Sequence, residues 1–97
     1  MESLIIPGTQ ETPDINFDSL SGKFTIVGRS YASDTLGFYK PINAWIEEYL
    51  NDPQVSTILE INVDYFHSVS VKFLTNLIKQ LSELRGKNKI LYVNGFF

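Results

Sequence analysis

The strongest constraint on the fold is an alternation of apolar and polar side chains within the predicted strand at residues 56–66. The apolar positions are Leu59, Ile61, Val63 and Tyr65, and the polar positions are Glu60, Asn62 and Asp64. A strand with one apolar and one polar face belongs to a sheet that is covered on one side only. This pattern argues against a doubly wound nucleotide-binding fold, because the central strands of that fold are apolar on both faces.

The residues after this strand predict a helix and a further strand. Residues 68–84 carry an apolar stripe at helical spacing. Its members are Val71, Leu74, Ile78 and Leu81, with Leu77 and Leu84 beside them. Gly86 is the expected C′ residue of this helix, and residues 88–94 form the last strand. Strand, helix and strand in this order predict a right-handed parallel crossover.

The N-terminal part of the chain predicts an arm followed by a hairpin. Residues 4–13 contain two prolines, so they form an extended arm that pairs briefly at residues 4–6. Residues 15–17 and 23–29 alternate in polarity and are separated by a short turn. They are therefore predicted to be the two strands of a hairpin.

Residues 34–51 predict the first helix. The apolar stripe consists of Phe38, Ile42, Trp45 and Tyr49, widened by Ile46 and Leu50. Asp34 is the expected N-cap, because its carboxylate accepts hydrogen bonds from the free amides of a first turn. Pro41 requires either a kink or a looser beginning of the helix, since an interior proline costs about 3 kcal/mol.

Length and composition limit the class of protein. A chain of 97 residues with 43% hydrophobic residues forms one folded domain. We predict a single α/β domain at residues 1–97, a mixed sheet with both helices packed on one face and the other face exposed to solvent. The absence of cysteine excludes disulfides and thiolate metal sites and favours the cytoplasm. Neither a signal peptide nor an apolar run of roughly 20 residues is present, so no membrane insertion is expected.

The side chains that could support an activity do not predict an enzyme. A net charge of −3 with scattered basic residues disfavours nucleic-acid binding. His67 and Ser68 are adjacent in sequence, which makes a hydrolytic pair between them improbable, because neighbouring side chains at a strand–helix junction point apart. The polar row at Glu60, Asn62 and Asp64 leaves open an alternative function, a domain that binds a cation or small ligand on the polar sheet face. We predict no cofactor and no catalytic residues.

The junction between residues 64 and 72 carries hydroxyl groups where a strand gives way to a helix. Ser68 or Ser70 could serve as an N-cap, and losing such a cap costs about 1 kcal/mol. The same position suits a phosphoserine, because the helix dipole and the free amides of a first turn tolerate its charge. Residue 68 is therefore also a candidate switch.

Four short motifs occur in order along nearly the whole chain. They are Ile-Pro-Gly-Thr-Gln-x-Thr-Pro at residues 6–13, Gly-x-Ser-Tyr at 28–31, Phe-x-x-Pro-x-x-x-Trp-x-x-x-Tyr-Leu at 38–50 and Tyr-Phe-His-Ser-Val-Ser-x-Lys at 65–72. Together they resemble the SiaC family of regulatory phosphoproteins. The resemblance implies a fold like that of the anti-sigma-factor antagonist (STAS) domains.

The resemblance also implies a partner switch. In such a switch the unphosphorylated protein binds and activates a diguanylate cyclase, a serine/threonine kinase phosphorylates it, and a phosphatase resets it. The output would be cyclic-di-GMP signalling and biofilm formation in a bacterium.

The family's turn typically reads Asn-Thr-Ser-Ser, and its threonine aligns with Ser68, the implied phosphoacceptor, with Ser70 as second choice. His67 and Val69 depart from this pattern. The residues expected beside the docking surface are Tyr31, Asp64, Tyr65 and His67. Members of the family look longer and continue into a further helix, so we expect part of the apolar sheet face to be uncovered here, which would favour a homodimer.

Overall fold

The computed structural model describes residues 1–31, 33–66 and 68–96. Within these ranges the chain forms five β-strands, two α-helices and one 3₁₀ helix. In chain order they are β1 (Leu4–Ile6), β2 (Asp14–Phe17), β3 (Lys23–Ser30), α1 (Thr35–Tyr49), β4 (Ser56–Phe66), α2 (Ser68–Leu81), the 3₁₀ helix (Ser82–Lys87) and β5 (Ile90–Phe96). Every helix and strand predicted from the sequence is present.

The five strands form one mixed sheet in the order β1-β2-β3-β4-β5. The first three strands pair antiparallel, and Ile15 of β2 lies opposite Ile26 of β3. The pairs β3–β4 and β4–β5 are parallel, so α1 and α2 are both crossover helices. The predicted hairpin and the predicted parallel crossover are therefore confirmed.

The core lies between the sheet and the two helices. Its strand side chains are Ile15, Phe17, Phe24, Ile26, Leu59, Ile61, Val63 and Leu91. The facing helix side chains are Tyr39, Ile42, Ile46 and Tyr49 of α1 and Leu74, Leu77 and Leu81 of α2. On the opposite face Asn16, Lys23 and Asn62 are exposed. The predicted fold class, a mixed sheet with helices on one face, is confirmed.

Helix α1 begins with the predicted cap. The Asp34 carboxylate accepts a hydrogen bond of 3.0 Å from the Gly37 amide. A Cβ at residue 37 would overlap that carboxylate, so the glycine provides room for the cap. Pro41 is exposed and lies inside the continuous helix, where its ring removes the bond to the Gly37 carbonyl. The regular helix therefore begins before Pro41, six residues earlier than the proline itself.

Helix α2 departs from the predicted stripe in its first turn and from the predicted helix type at its C-terminal end. Val71 is exposed, and Ser70 takes the buried position in the first turn, so the prediction for Val71 was wrong. At the other end α2 tightens into the 3₁₀ helix after Leu81, which brings Leu84 into the core. The left-handed residue that ends it is Asn88, with φ of 62°. The prediction of Gly86 as the C′ residue was therefore wrong.

Strand β4 contains a bulge near its C-terminal end. Val63 pairs with Gly28 and Tyr65 pairs with Arg29, which leaves Asp64 as an extra residue without a partner on β3. The bulge breaks the alternation, and the Tyr65 side chain is 57% exposed. The prediction that Tyr65 shares the buried face of Leu59 was wrong for this reason.

The edge strand β5 leaves part of the helix-facing side uncovered. Val93 follows the buried Leu91 by two positions and lies opposite Leu59, yet it is 36% exposed. A homodimer through this strip stays a prediction. Among the described residues, no helix has the length and apolar character that crossing a membrane requires.

Candidate functional site

The candidate site lies where β3 and β4 end and α1 and α2 begin. Because these two strands are parallel, their carboxyl ends meet at one side of the sheet, which we call the carboxyl edge. In open α/β sheets, ligands and partners commonly bind at this edge. The opposite side, where β3 and β4 begin, is called the amino edge.

The N-terminal arm closes one side of the carboxyl edge. Thr9 and Thr12 form a tight turn, in which their hydroxyl oxygens lie 2.7 Å apart and the Thr12 amide donates to Thr9 Oγ1 at 3.0 Å. The Tyr31 amide donates to the Glu11 carbonyl at 2.9 Å. The first two sequence motifs, at residues 6–13 and 28–31, therefore meet in space.

The two candidate serines at the start of α2 have opposite environments. Ser68 is the first residue of the helix and is exposed, as the sequence predicts. Ser70 is fully buried, with 0% of its surface exposed. A modifying enzyme can therefore reach Ser68 in the folded protein, whereas Ser70 must first be uncovered. The phosphorylation of either serine stays a prediction.

Ser70 belongs to a chain of buried hydroxyl groups. Its Oγ donates to the Ser30 carbonyl at 2.8 Å and accepts from the Ser30 hydroxyl, also at 2.8 Å. The Ser30 Oγ lies 2.6 Å from the Tyr39 hydroxyl. Since Ser30 has given its single proton to Ser70, Tyr39 must be the donor in this last contact.

The Tyr39 phenol is suited to that role as a donor. Burial raises the pKa of Tyr39 above the usual tyrosine value, although the hydrogen bond with Ser30 acts in the other direction. The phenol is therefore protonated at neutral pH. Its ring stacks on Phe73 of α2, with ring centroids 5.4 Å apart. Tyr39 thus connects α1 to both β3 and α2.

A groove of about 550 Å³ opens between the first turns of the two helices. It is lined by Glu11, Tyr31, Ser33, Asp34, Thr35, Leu36, Val69, Lys72 and Phe73. Leu36 and Val69 expose 62% and 49% of their surface there. Such a mixture of exposed apolar and charged side chains is typical of a surface that contacts another protein.

Three of the four predicted docking residues, Tyr31, Asp64 and Tyr65, lie on this edge. The rings of Tyr31 and Tyr65 meet edge to face, with centroids 5.2 Å apart. Together with Arg29 they line a recess next to the groove. Asp64 is exposed at the bulge that precedes Tyr65. His67 lies outside the described residues, and the binding role of all four residues stays a prediction.

The polar row on the other sheet face does not assemble a metal site. Glu60 lies 3.8 Å from the Lys23 ammonium, and the bulge separates Asp64 from the regular row. Within the described ranges, no group of three histidine, cysteine, aspartate or glutamate side chains could hold a metal ion. The cation-binding form of the alternative function therefore has no geometric support among the described residues, whereas binding of a small ligand on this face stays a prediction. The hydrolytic pairing of Ser68 with His67 falls outside the described residues.

Sequence reasoning did not identify Ser30 and Tyr39 as functional candidates. Both belong to motifs quoted above or adjoin them, but a serine at the end of a strand and a tyrosine in a helix have no distinctive spacing. Their proximity to Ser70 depends on contacts across 40 residues of sequence. The one available signal was a hydroxyl-bearing residue at the end of β3.

Comparisons with known proteins agree with this geometry. Residues 6–97 match the sequence model of the SiaC family regulatory phosphoprotein. An uncharacterized protein of Pseudomonas aeruginosa (strain UCBPP-PA14) is 31% identical over 86% of this chain, and the match spans 66% of that protein's length.

Two solved structures are similar over most of the chain. The crystal structure of apo-SiaC from Pseudomonas aeruginosa has a TM-score of 0.92 at 27% identity and covers 100% of this chain and 80% of that one. The structure of diguanylate cyclase SiaD in complex with its activator SiaC, from the same species, has a TM-score of 0.85 at 28% identity. It covers 93% of this chain and 74% of that one. Because the family model spans nearly all of the sequence, the chain belongs to the SiaC family of regulatory phosphoproteins.

Proposed function

We propose that this protein is a non-enzymatic, phosphorylation-controlled partner switch of the cytoplasm. In its unphosphorylated form it binds and activates a diguanylate cyclase, and phosphorylation of Ser68 ends that interaction. A serine/threonine kinase and a phosphatase set the balance between the two forms. The similar SiaC of Pseudomonas aeruginosa was solved in complex with the diguanylate cyclase SiaD, of which it is the activator, and this supports the choice of partner.

The single observation that carries the proposal is the exposure of Ser68 at the start of α2. In the modification, the Ser68 oxygen bonds to the γ-phosphorus of a nucleoside triphosphate. The hydroxyl proton leaves, and the bond to the nucleoside diphosphate breaks. The product carries about −1.5 to −2 charges at neutral pH. The dipole of α2 favours that charge, so the domain stays folded while its surface changes.

The groove beside Ser68 explains how one phosphate would change partner binding. Val69 and Lys72 line the groove and lie one and four residues after Ser68 on the same helix. A phosphate on Ser68 therefore places a strong charge beside exposed apolar surface. A partner that covers the groove would have to desolvate this charge, which is costly unless it is paired. Phosphorylation is thus expected to weaken binding without distorting the fold.

The test compares Ser68→Ala with Ser68→Asp in binding to a purified diguanylate cyclase. We expect Ser68→Ala to bind like the wild type and Ser68→Asp to bind at least about tenfold more weakly, a loss of roughly 1.4 kcal/mol. Titration calorimetry gives the affinity, and the rate of cyclic-di-GMP formation gives the activation. Intact-mass measurement of the protein recovered from its host reports whether it carries a phosphate, and fragment mass spectrometry reports whether that phosphate is on Ser68.

The matched control is Asn76→Asp, which adds one negative charge to an exposed position on the same helix. It should leave binding unchanged, since residue 76 lies two turns away from the carboxyl edge. Equal binding by Ser68→Ala and Ser68→Asp contradicts the switch. Equal weakening by Asn76→Asp and Ser68→Asp would show that net charge, and not the position of Ser68, decides binding.

A further inference from the structure

In the first turn of α2 a polar residue is buried while neighbouring apolar residues are exposed. Among the first five residues of the helix only Ser70 is buried, whereas Val69 and Val71 expose 49% and 41% of their surface. Completing the burial of either half-exposed valine would stabilise the fold, so apolar burial alone favours a different rotation of this turn. Another interaction must therefore hold Ser70 inside.

The hydroxyl chain of Tyr39, Ser30 and Ser70 supplies that interaction. Ser70 makes two hydrogen bonds of 2.8 Å to Ser30, and the Tyr39 hydroxyl closes the chain at 2.6 Å. All three groups are almost fully removed from water. A rotation that took Ser70 away would leave the buried Ser30 hydroxyl without the acceptor of its proton and the Ser30 carbonyl without the Ser70 donor, and such lost partners are costly in a buried site.

The position of Ser68 follows from that of Ser70. Residues two apart on an α-helix are separated by roughly 200° around its axis, so they point to nearly opposite sides. When Ser70 is held against β3, Ser68 must face solvent. A turn rotated to bury Val69 or Val71 would move both serines away from their present directions.

We propose that the buried hydroxyl chain of Tyr39, Ser30 and Ser70 sets the rotation of the first turn of α2 and thereby presents Ser68, and not Ser70, for phosphorylation. This inference rests on the proposed function of Ser68. Ser30, Tyr39 and Ser70 act as positioning residues, because none of them touches the transferred phosphoryl group. Through these residues, the fold determines which of the two nearby serines a kinase can phosphorylate.

The first experiment needs no kinase. Amide hydrogen exchange is measured in the wild type, Ser30→Ala and Tyr39→Phe, with Tyr49→Phe as the matched control. The reporting amides are those of residues 72–75, which donate to the carbonyls of the first turn of α2 and so exchange when that turn opens. Tyr49 has a similar buried hydroxyl contact, 2.8 Å from Thr57, at the amino edge. Exchange in the first turn of α2 should accelerate about tenfold in Ser30→Ala and Tyr39→Phe, the effect of losing an ordinary hydrogen bond, and stay unchanged in Tyr49→Phe. Equal exchange in Tyr39→Phe, Ser30→Ala and Tyr49→Phe overturns the inference.

The second experiment uses the kinase, purified from the host by its activity on the wild-type protein. Phosphate is mapped by fragment mass spectrometry after incubation with a nucleoside triphosphate. The wild type and Tyr49→Phe should carry phosphate on Ser68 alone, whereas Ser30→Ala should react more slowly there and gain a second phosphate. That second phosphate should vanish in the double variant Ser30→Ala/Ser70→Ala.

The two experiments separate the two proposals. An unmodified Ser68 in the wild type contradicts the proposed switch, while the exchange measurement still decides whether the hydroxyl chain positions the turn. Tyr39→Phe keeps the ring and its stacking on Phe73, so it tests the hydroxyl alone if Ser30→Ala is poorly folded. A Tyr39→Phe protein with wild-type exchange and wild-type phosphorylation would refute the positioning role.

Discussion

The two edges of the sheet contain the same kind of contact, but these contacts connect different parts of the fold. At each edge a tyrosine of α1 reaches a buried hydroxyl group on a strand, Tyr39 to Ser30 at the carboxyl edge and Tyr49 to Thr57 at the amino edge. At the amino edge the Gln54 amide also donates to the Tyr49 hydroxyl at 3.2 Å. The contacts there therefore tie α1 to the loop and strand that follow it directly. At the carboxyl edge the contacts continue into α2 and end beside an exposed serine.

Cavity size does not distinguish the two edges. The amino edge has a cavity of about 490 Å³ lined by residues such as Ser19 and Gln54, against about 550 Å³ for the groove at the carboxyl edge. Ser19 is buried and its hydroxyl donates to the Met1 carbonyl at 2.9 Å, so this serine is already engaged in the fold. The difference lies in the accessible hydroxyl of Ser68 at a helix start. The proposal that the carboxyl edge is the functional one therefore rests on the chemistry of its surface and not on concavity.

The largest effects are expected from removing the two tyrosine rings. Tyr39 and Tyr49 are each 1% exposed, and both stack on neighbouring aromatic rings. Tyr39→Ala and Tyr49→Ala should each lower the free energy of unfolding by about 3–5 kcal/mol, because each leaves a cavity in the core. Urea denaturation monitored by circular dichroism measures both. A far smaller loss of unfolding free energy for one variant would contradict the similarity of the two edges, since it would show that this tyrosine is not part of the core.

Smaller effects are expected at the two ends of α1. At the carboxyl edge Asp34→Ala removes the cap bond to Gly37 and should cost about 1 kcal/mol, while Asp34→Asn should retain most of it. At the amino edge the Lys87 ammonium donates to the Leu50 carbonyl at 2.7 Å. Lys87→Met should therefore cost only about 0.5 kcal/mol, the usual value for a cation at a helix C-terminus. Thermal unfolding of the three variants measures the difference, and a larger loss for Lys87→Met would reverse the expected order.

The smallest effects are expected from pH, with opposite signs at the two edges. At the amino edge the amides of Leu20 and Ser21 donate to the Asp18 carboxylate, and the Leu20 bond is the main cause that lowers the pKa of Asp18. Its contribution to stability is present above the unfolded pKa of about 4 and is lost as the pH falls through the folded value. Because burial raises the pKa of Tyr39, its contribution is present below the unfolded pKa of about 10 and is lost as the pH rises through the folded value.

Denaturation midpoints measured across pH check this prediction. Asp18→Asn should flatten the acid side of the profile and leave the alkaline side unchanged. Tyr39→Phe should flatten the alkaline side alone. If both variants kept the wild-type shape on both sides, neither group would be linked to folding in the way that these contacts require.

Local patterns along the chain were sufficient to predict the order and type of the strands and α-helices. The alternation at residues 56–66, the helical stripe of α1 and the cap at Asp34 each depend on neighbours in sequence, and all three appear in the structure. The bulge at Asp64 broke the pattern at Tyr65, because the extra residue is defined by pairing with β3. Likewise, the 3₁₀ end of α2 depends on how Leu84 reaches the core, which no local spacing reveals.

For the candidate site, the sequence by itself determined that a hydroxyl group stands where β4 gives way to α2. Strand and helix periods depend on neighbouring residues, so they could be recognised without the fold. Only the tertiary structure decided that Ser68 faces solvent while Ser70 is buried. That difference depends on hydrogen bonds between Ser70 and Ser30, which lies 40 residues earlier in the chain. The helical period shows which residues share a face, but it does not show which face will contact a distant partner such as Ser30.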